Sequence, residues 1–432
     1  MRTRELWLTV LLAAAADPAW AADAAALNGA DTAWLLTATA LVLFMTMPGL
    51  ALFYGGLVRM RHVLSVLMHC LAIASVVSLA WLAVGYSLAF TADQSGLGLI
   101  GGLERAFLSE VARDTLKGTV PESLFFMFQL TFAVITPALI VGAYPERIRF
   151  SAVLVVSLLW LLVVYVPVCH WVWGGGWLAK LGVIDFAGGI VVHTTAGVSA
   201  LVLAGLLGPR RGFPREVRPP HSPGLTVLGA GMLWVGWFGF NGGSALTADG
   251  NAAMAITVTH IAASAGAIAW AAMEWLRFGR PSVVGTATGL IAGLATITPA
   301  AGAVGPAAAI AIGLLAGLLC QVMTTLVKQQ WRIDDTLDVF AVHGVGGILG
   351  SLLTGLFAAL VLGGVGYAEG QNMLGQLGVQ ALGVGVVALW SALATFFCAK
   401  AAAALGGLRA PEEAEIEGLD LVAHGERGYD LR

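Results

Sequence analysis

This 432-residue chain reads as an all-α integral membrane protein with eleven spanning helices, and three observations predict it. Hydrophobic residues make up 58% of the sequence and charged residues only 11%, where soluble globules carry about a quarter charged. Mean hydropathy is +0.86. The 56 glycines are nearly double the usual ~7% share, which in an apolar chain points to helices in close contact rather than to a barrel. A net charge of −3 offers no basic field for DNA or RNA, so nucleic acid is not an expected partner.

The elements follow in chain order. Arg2 and Arg4 precede the apolar stretch from Leu6 to Ala16 and the small-x-small pattern Ala19-Trp20-Ala21, which together read as a signal peptide over 1–21. An uncleaved first helix is the alternative, but about ten apolar residues span a bilayer poorly. Apolar segments long enough to span then run over 33–57, 63–91, 122–143, 150–169, 188–207, 224–246, 252–275, 283–298, 305–326, 339–362 and 374–405. With the mature N-terminus outside, the odd-numbered links and the tail face the cytoplasm. They hold sixteen of the 22 Lys and Arg residues, Arg218 and Arg432 among them, the asymmetry that sets orientation. The C-terminus is therefore inside. The outer links carry eight acids against four bases, a slight bias toward attracting cations. Cys70, Cys169, Cys320 and Cys398 are scattered singly, as packed thiols rather than a zinc or redox site.

Ionisable groups inside the membrane are costly and mark function. Two histidines meet that criterion. His193 lies eight residues after Asp185, and His343 lies eight after Asp335. The first pair opens the fifth helix and the second the tenth, so the two enter from opposite sides, as a five-plus-five inverted repeat requires. The eleventh helix is an addition. Eight helical residues rise ~12 Å against a half-thickness of about 15 Å, which carries both imidazoles to the midplane. A facing pair suits either axial haem ligands or a hydrogen-bonded lining of a conduction path.

At the outer mouth, Phe128 and Phe132 share a face of the third helix, and the sixth carries Trp237, Phe240 and Ser244 at i, i+3 and i+7. Trp171 and Trp173 precede three glycines. Taken singly, such tryptophans belong to the interfacial belt and such phenylalanines to packing. The orientation permits convergence on one vestibule.

The motifs FFMFQLTFAVITPALIVGAYPERIRFSAV, HWVWGGGWL, DFAGGIVVH, WFGFNGGSA and DDTLDVFAVHGVGGILGSLLTG resemble those of the ammonium transporter family (Amt/Mep/Rh), specifically its bacterial Amt branch. The likeness runs from MPGLALFYGGLVR to GLDLVAHGERGY. It implies a homotrimer in the bacterial inner membrane, a pore in each subunit, and conduction of ammonium or ammonia, with methylammonium a candidate second substrate. It implies that Trp173, Phe132 and Ser244, with Phe128 beside them, recruit ammonium, and that Phe132 and Phe240 form a gate. His193 and His343 are the implied pore pair, Trp237 flanks the upper conduit, and Asp185 shapes the recruitment region from below. No enzymatic activity, cofactor or metal is expected. The residues divide into a signal peptide (1–21), a membrane domain (22–408) and a cytoplasmic regulatory tail (409–432). The likeness implies that a PII-type signalling protein docks on that tail, where Gly428 replaces the alanine common before the tyrosine.

Overall fold

A computed structural model describes residues 26–216 and 219–430. The predicted signal peptide lies outside the described residues, as do Arg218 and Arg432. Among the described residues eleven helices are long and apolar enough to cross a membrane: α1 (Gly29–Leu57), α2 (Met60–Phe90), α3 (Glu122–Ala143), α4 (Phe150–Lys180), α5 (Gly189–Leu207), α6 (Pro223–Gly243), α7 (Gly250–Phe278), α8 (Val283–Ala300), α9 (Pro306–Gln330), α10 (Phe340–Phe357) and α11 (Met373–Gly406). Each matches a predicted segment. The largest displacement is at α4, whose path continues past a turn at the three glycines.

The helices start where local chemistry satisfies their free N–H groups. Asn28, Ser222, Asp249, Ser282 and Asn372 each accept backbone N–H bonds at the heads of α1, α6, α7, α8 and α11. A two-stranded hairpin, β1 (Leu116–Lys117) and β2 (Val120–Pro121), leads into α3. In the most apolar stretch of α3, 94% of residues are buried, against 39% in α2, α9 and α11. So α3 is enclosed by the bundle, and the other three present apolar side chains outward, where lipid solvates them as well as a protein core does.

The two ends of the bundle are distinguishable. At one, the Trp173 indole N–H donates to the Asp185 carbonyl at 2.8 Å, just ahead of α5. At the other, α5 ends near Arg210, whose guanidinium meets Asp334 at 2.9 Å, just ahead of α10. Therefore α10 begins where α5 finishes and runs opposite to it, as the repeat predicts. Arg59 meets Glu146 there at 2.6 Å. Arg147, fully buried, donates to the carbonyls of Ala143, Asp334 and Gly208 and to the Thr336 hydroxyl. The first, third, fifth and ninth links thus gather at one end, as the charge count requires.

Burial opposes the charge on Glu146, yet Arg210 and Arg59 hold its carboxyl below the usual range. Burial likewise works against Asp334, and Arg210 pulls it down. The tail folds back against this end. Arg409 pairs with Glu415 at 2.6 Å in the short helix α12 (Glu412–Glu417). Asp420 of α13 (Leu419–His424) accepts N–H bonds from Leu64 and Ser65. The four cysteines are buried and free.

Candidate functional site

At the Trp173 end a cavity of about 450 Å³ is lined by Phe90, Lys117, Phe125, Trp173, Leu246 and Thr247, among others. From its floor a series of rings leads inward. Trp173 stands edge-on to Phe132, centroids 5.7 Å apart at 90°. Phe132 lies against Phe240 at 4.3 Å and 33°, and Phe128 packs beside Phe132 at 5.0 Å. All three phenylalanines are buried, so no open channel passes them. Ser244, half-buried just past α6, donates its hydroxyl proton to the Phe240 carbonyl at 2.8 Å, which leaves its oxygen as an acceptor.

Beyond Phe240 the series continues into His193, at 6.1 Å and 28°. His193 stacks on Trp237 at 5.5 Å and on His343 at 5.2 Å. The two Nδ1 atoms are 3.2 Å apart, one donating and the other accepting. Both histidines line a narrow cavity with Met45, Leu50, Ile135, Val192, Leu233 and Ile291. Its free volume of about 10 Å³ is near the least that holds one water. The direct Nδ1–Nδ1 hydrogen bond fits the lining of a conduction path better than the haem alternative. Axial nitrogens at ~2 Å from a metal would stand ~4 Å apart.

Local backbone places these histidines. Both sit in turns wider than an ordinary α-turn, Gly189–Thr194 and Phe340–Gly344, a feature frequent at functional positions. Gly188, at φ +111°, supplies the left-handed residue that a side chain would strain. Asp185 then closes the start of α5. One carboxylate oxygen accepts the N–H groups of Gly188 and Gly189, and the other accepts those of Ile190 and Val191, at 2.6–3.0 Å. Asp335, its counterpart in the repeat, accepts the Phe340 N–H at 2.7 Å through one oxygen. Its other oxygen is buried and has no hydrogen-bond partner among the described residues.

Close approach of α5 and α10 completes the pair. A Cβ at Gly197 would lie 2.1 Å from the Gly344 nitrogen, and one at Gly347 would lie 2.8 Å from the His193 Cβ. These glycines, the wide turns and Thr298, which accepts the Trp237 indole N–H at 2.8 Å, were not singled out from sequence. High glycine content was the available signal for the contacts; nothing marked Thr298. Trp237, expected beside the upper conduit, lies against His193 itself.

Comparison with known proteins bears on this arrangement. The family model described as Ammonium Transporter Family matches residues 33–429. The chain is 45% identical over 411 residues to a putative ammonium transporter of Methanothermobacter thermautotrophicus, covering 94% of this chain and 99% of that one. It is 45% identical over 403 residues to an ammonium transporter of Bacillus subtilis, covering 92% and 98%. Among solved structures, one titled Sensor Amt Protein superposes with a TM-score of 0.85 at 31% identity, covering 91% of this chain and 98% of the other. Mep2 of Saccharomyces cerevisiae superposes with 0.82 at 37%, covering 90% of each.

Proposed function

This chain belongs to the ammonium transporter family and is a multi-pass membrane transporter, and from that premise we propose how its pore works. Ammonium is recruited at Trp173, Phe132 and Ser244, loses its proton at the Phe132–Phe240 gate, and crosses the histidine cavity as ammonia. The observation that carries this reading is the unbroken run of rings from Trp173 through Phe132 and Phe240 to His193 and His343.

The energetics separate the steps. Aromatic faces offer a cation ~0.5–2 kcal/mol, and the Ser244 oxygen accepts one hydrogen bond. Weak capture follows. Carrying the intact ion on through apolar walls costs several kcal/mol even after relaxation. An amine of pKa ~10 that is shifted 3–5 units by desolvation releases its proton near neutral pH. The neutral base then enters a space sized for one small molecule; the proton it gives up goes to His193, whose Nε2 has no partner among the described residues, and on to His343 as the Nδ1–Nδ1 hydrogen bond passes its own proton along. Net movement is electrogenic. Potassium has no proton to give up and finds no cage of oxygens to replace its water.

The gathering of basic links at the Glu146 end supports an N-out, C-in orientation in a bacterial inner membrane, with the Trp173 end outside. Cleavage after residue 21, assembly as a homotrimer and PII docking on the tail (409–432) belong to the same reading. The folded tail, held by Arg409, Asp420 and Tyr429, supports the last of these.

Purified protein in proteoliposomes tests it. Ammonium should drive current and potassium should not, and replacing His193 and His343 together with alanine should abolish the selective current. Equal potassium current, or selective current in the double variant, would refute the mechanism. A sensing role, for which the structural neighbour titled as a sensor speaks, predicts negligible turnover in the same assay.

A further inference from the structure

The cavity above Trp173 carries one feature that conduction itself does not use. Lys117 sits on β1, exposed, with its ammonium 5.9 Å from the centroid of the Phe125 ring. Both residues line the cavity with Trp173. The hairpin that presents Lys117 is tied at several points. The Asn28 N–H donates to the Thr119 carbonyl at 2.9 Å, and the Thr119 hydroxyl donates to Asp31 at 2.6 Å. The other Asp31 oxygen accepts the Ala248 N–H at 2.8 Å, which joins the hairpin to the loop after α6. Gly118, at φ +62°, makes the turn. Lys117 therefore stands on a braced rim and not on a free loop.

Several nearby charged groups are engaged. Arg105 meets Glu110 at 3.2 Å and Glu122 at 3.1 Å. Asp249 caps α7. Lys117 makes no ion pair among the described residues, and it is the ionisable side chain in the lining of this cavity.

The geometry points to Lys117 as the residue that sets the apparent affinity of the mouth for cations: a fixed positive charge that occupies the Phe125 face and repels ammonium approaching Trp173. This inference rests on the reading of Trp173 as the entrance. Two unit charges about 10 Å apart in water alter occupancy about two-fold, and at low ionic strength that interaction is little screened.

The test is ammonium current in proteoliposomes at ~10 mM and ~1 M ionic strength, for wild type, Lys117→Gln, Lys117→Glu and Lys117→Arg. At low salt the half-saturating ammonium concentration should fall about two-fold in K117Q and about four-fold in K117E, with K117R unchanged and maximal current preserved. At high salt the four proteins should converge, because the screening length drops to ~3 Å. Unchanged half-saturation in K117E at low salt would overturn the inference, as would an equal shift at both salts. A wild type without ammonium current would instead overturn the underlying reading of the pore, along with this one.

Discussion

Gly197→Ala tests whether helix contact creates the histidine pair. The new Cβ would lie 2.1 Å from the Gly344 nitrogen and 2.2 Å from its Cα. Backbone atoms cannot rotate away, so α5 and α10 must separate by about 1 Å before the contact is tolerable. The Nδ1–Nδ1 distance is 3.2 Å, so a separation of that size takes it beyond hydrogen-bonding range. Overpacking of this kind costs ~1–3 kcal/mol. In a chain of this size that is a drop of a few °C in Tm. Gly205→Ala on the same helix is the control, because its Cβ meets nothing within 4 Å. A solvated or lipid-facing glycine replaced by alanine gains up to ~1 kcal/mol of helix propensity. Thermal denaturation in detergent and ammonium current in proteoliposomes should therefore separate the two: G197A less stable and poorly conducting, G205A neutral or stabilised with normal current. Wild-type stability and selective current in G197A would refute the claim that this crossing sets the pore.

Trp173→Leu removes a cation–π face worth ~0.5–2 kcal/mol, so half-saturating ammonium should rise roughly 2- to 30-fold; an unchanged value would remove Trp173 from recruitment. Asp185→Ala leaves four buried N–H groups without their acceptor, and should cost more stability than the ~1 kcal/mol of an ordinary exposed cap, read as a fall in Tm. Asp185→Asn should recover only part of that, because its amide nitrogen cannot accept, and full recovery would count against the four-bond account. Burial, reinforced by Asp338, pushes the Asp335 carboxyl up from 3.8 to about 7. A raised carboxylate pKa means that the folded state holds the proton longer, so the stability it supports is complete below pH ~4 and is lost as pH rises through about 7. Asp335→Asn, which keeps an acceptor for the Phe340 N–H, should therefore stabilise the protein at pH 8 and not at pH 4. An Asn variant no more stable than wild type at pH 8 would sink this. Glu146 and Asp334 act with the opposite sign. Their depressed carboxyls support stability above the ordinary values of 4.5 and 3.8 and lose it as pH falls below them.

Much of the architecture was legible from residue order alone. A span in lipid must satisfy its own backbone, so length and apolarity suffice to identify it. That is why eleven predicted segments correspond to eleven helices, from Gly29–Leu57 to Met373–Gly406. Matched Asp-to-His spacings at 185–193 and 335–343 were enough to suggest oppositely directed α5 and α10, because an odd number of crossings reverses direction. The residues singled out as Trp173, Phe132, Phe240, His193 and His343 do form a contiguous series.

What the order of residues left open is how the helices meet sideways. In lipid no apolar face is distinguished from the surrounding tails, so hydropathy carries no record of which face touches which neighbour. Only tertiary contact decided that Gly197 and Gly344 bring the imidazoles to 3.2 Å, and that Trp237 rests on His193 under the hold of Thr298. The same holds for the two aspartates, identical in spacing. Packing alone left both Asp185 oxygens engaged by four N–H groups and one Asp335 oxygen without a partner among the described residues, because backbone donors become available only where the local turn aims them at the carboxylate.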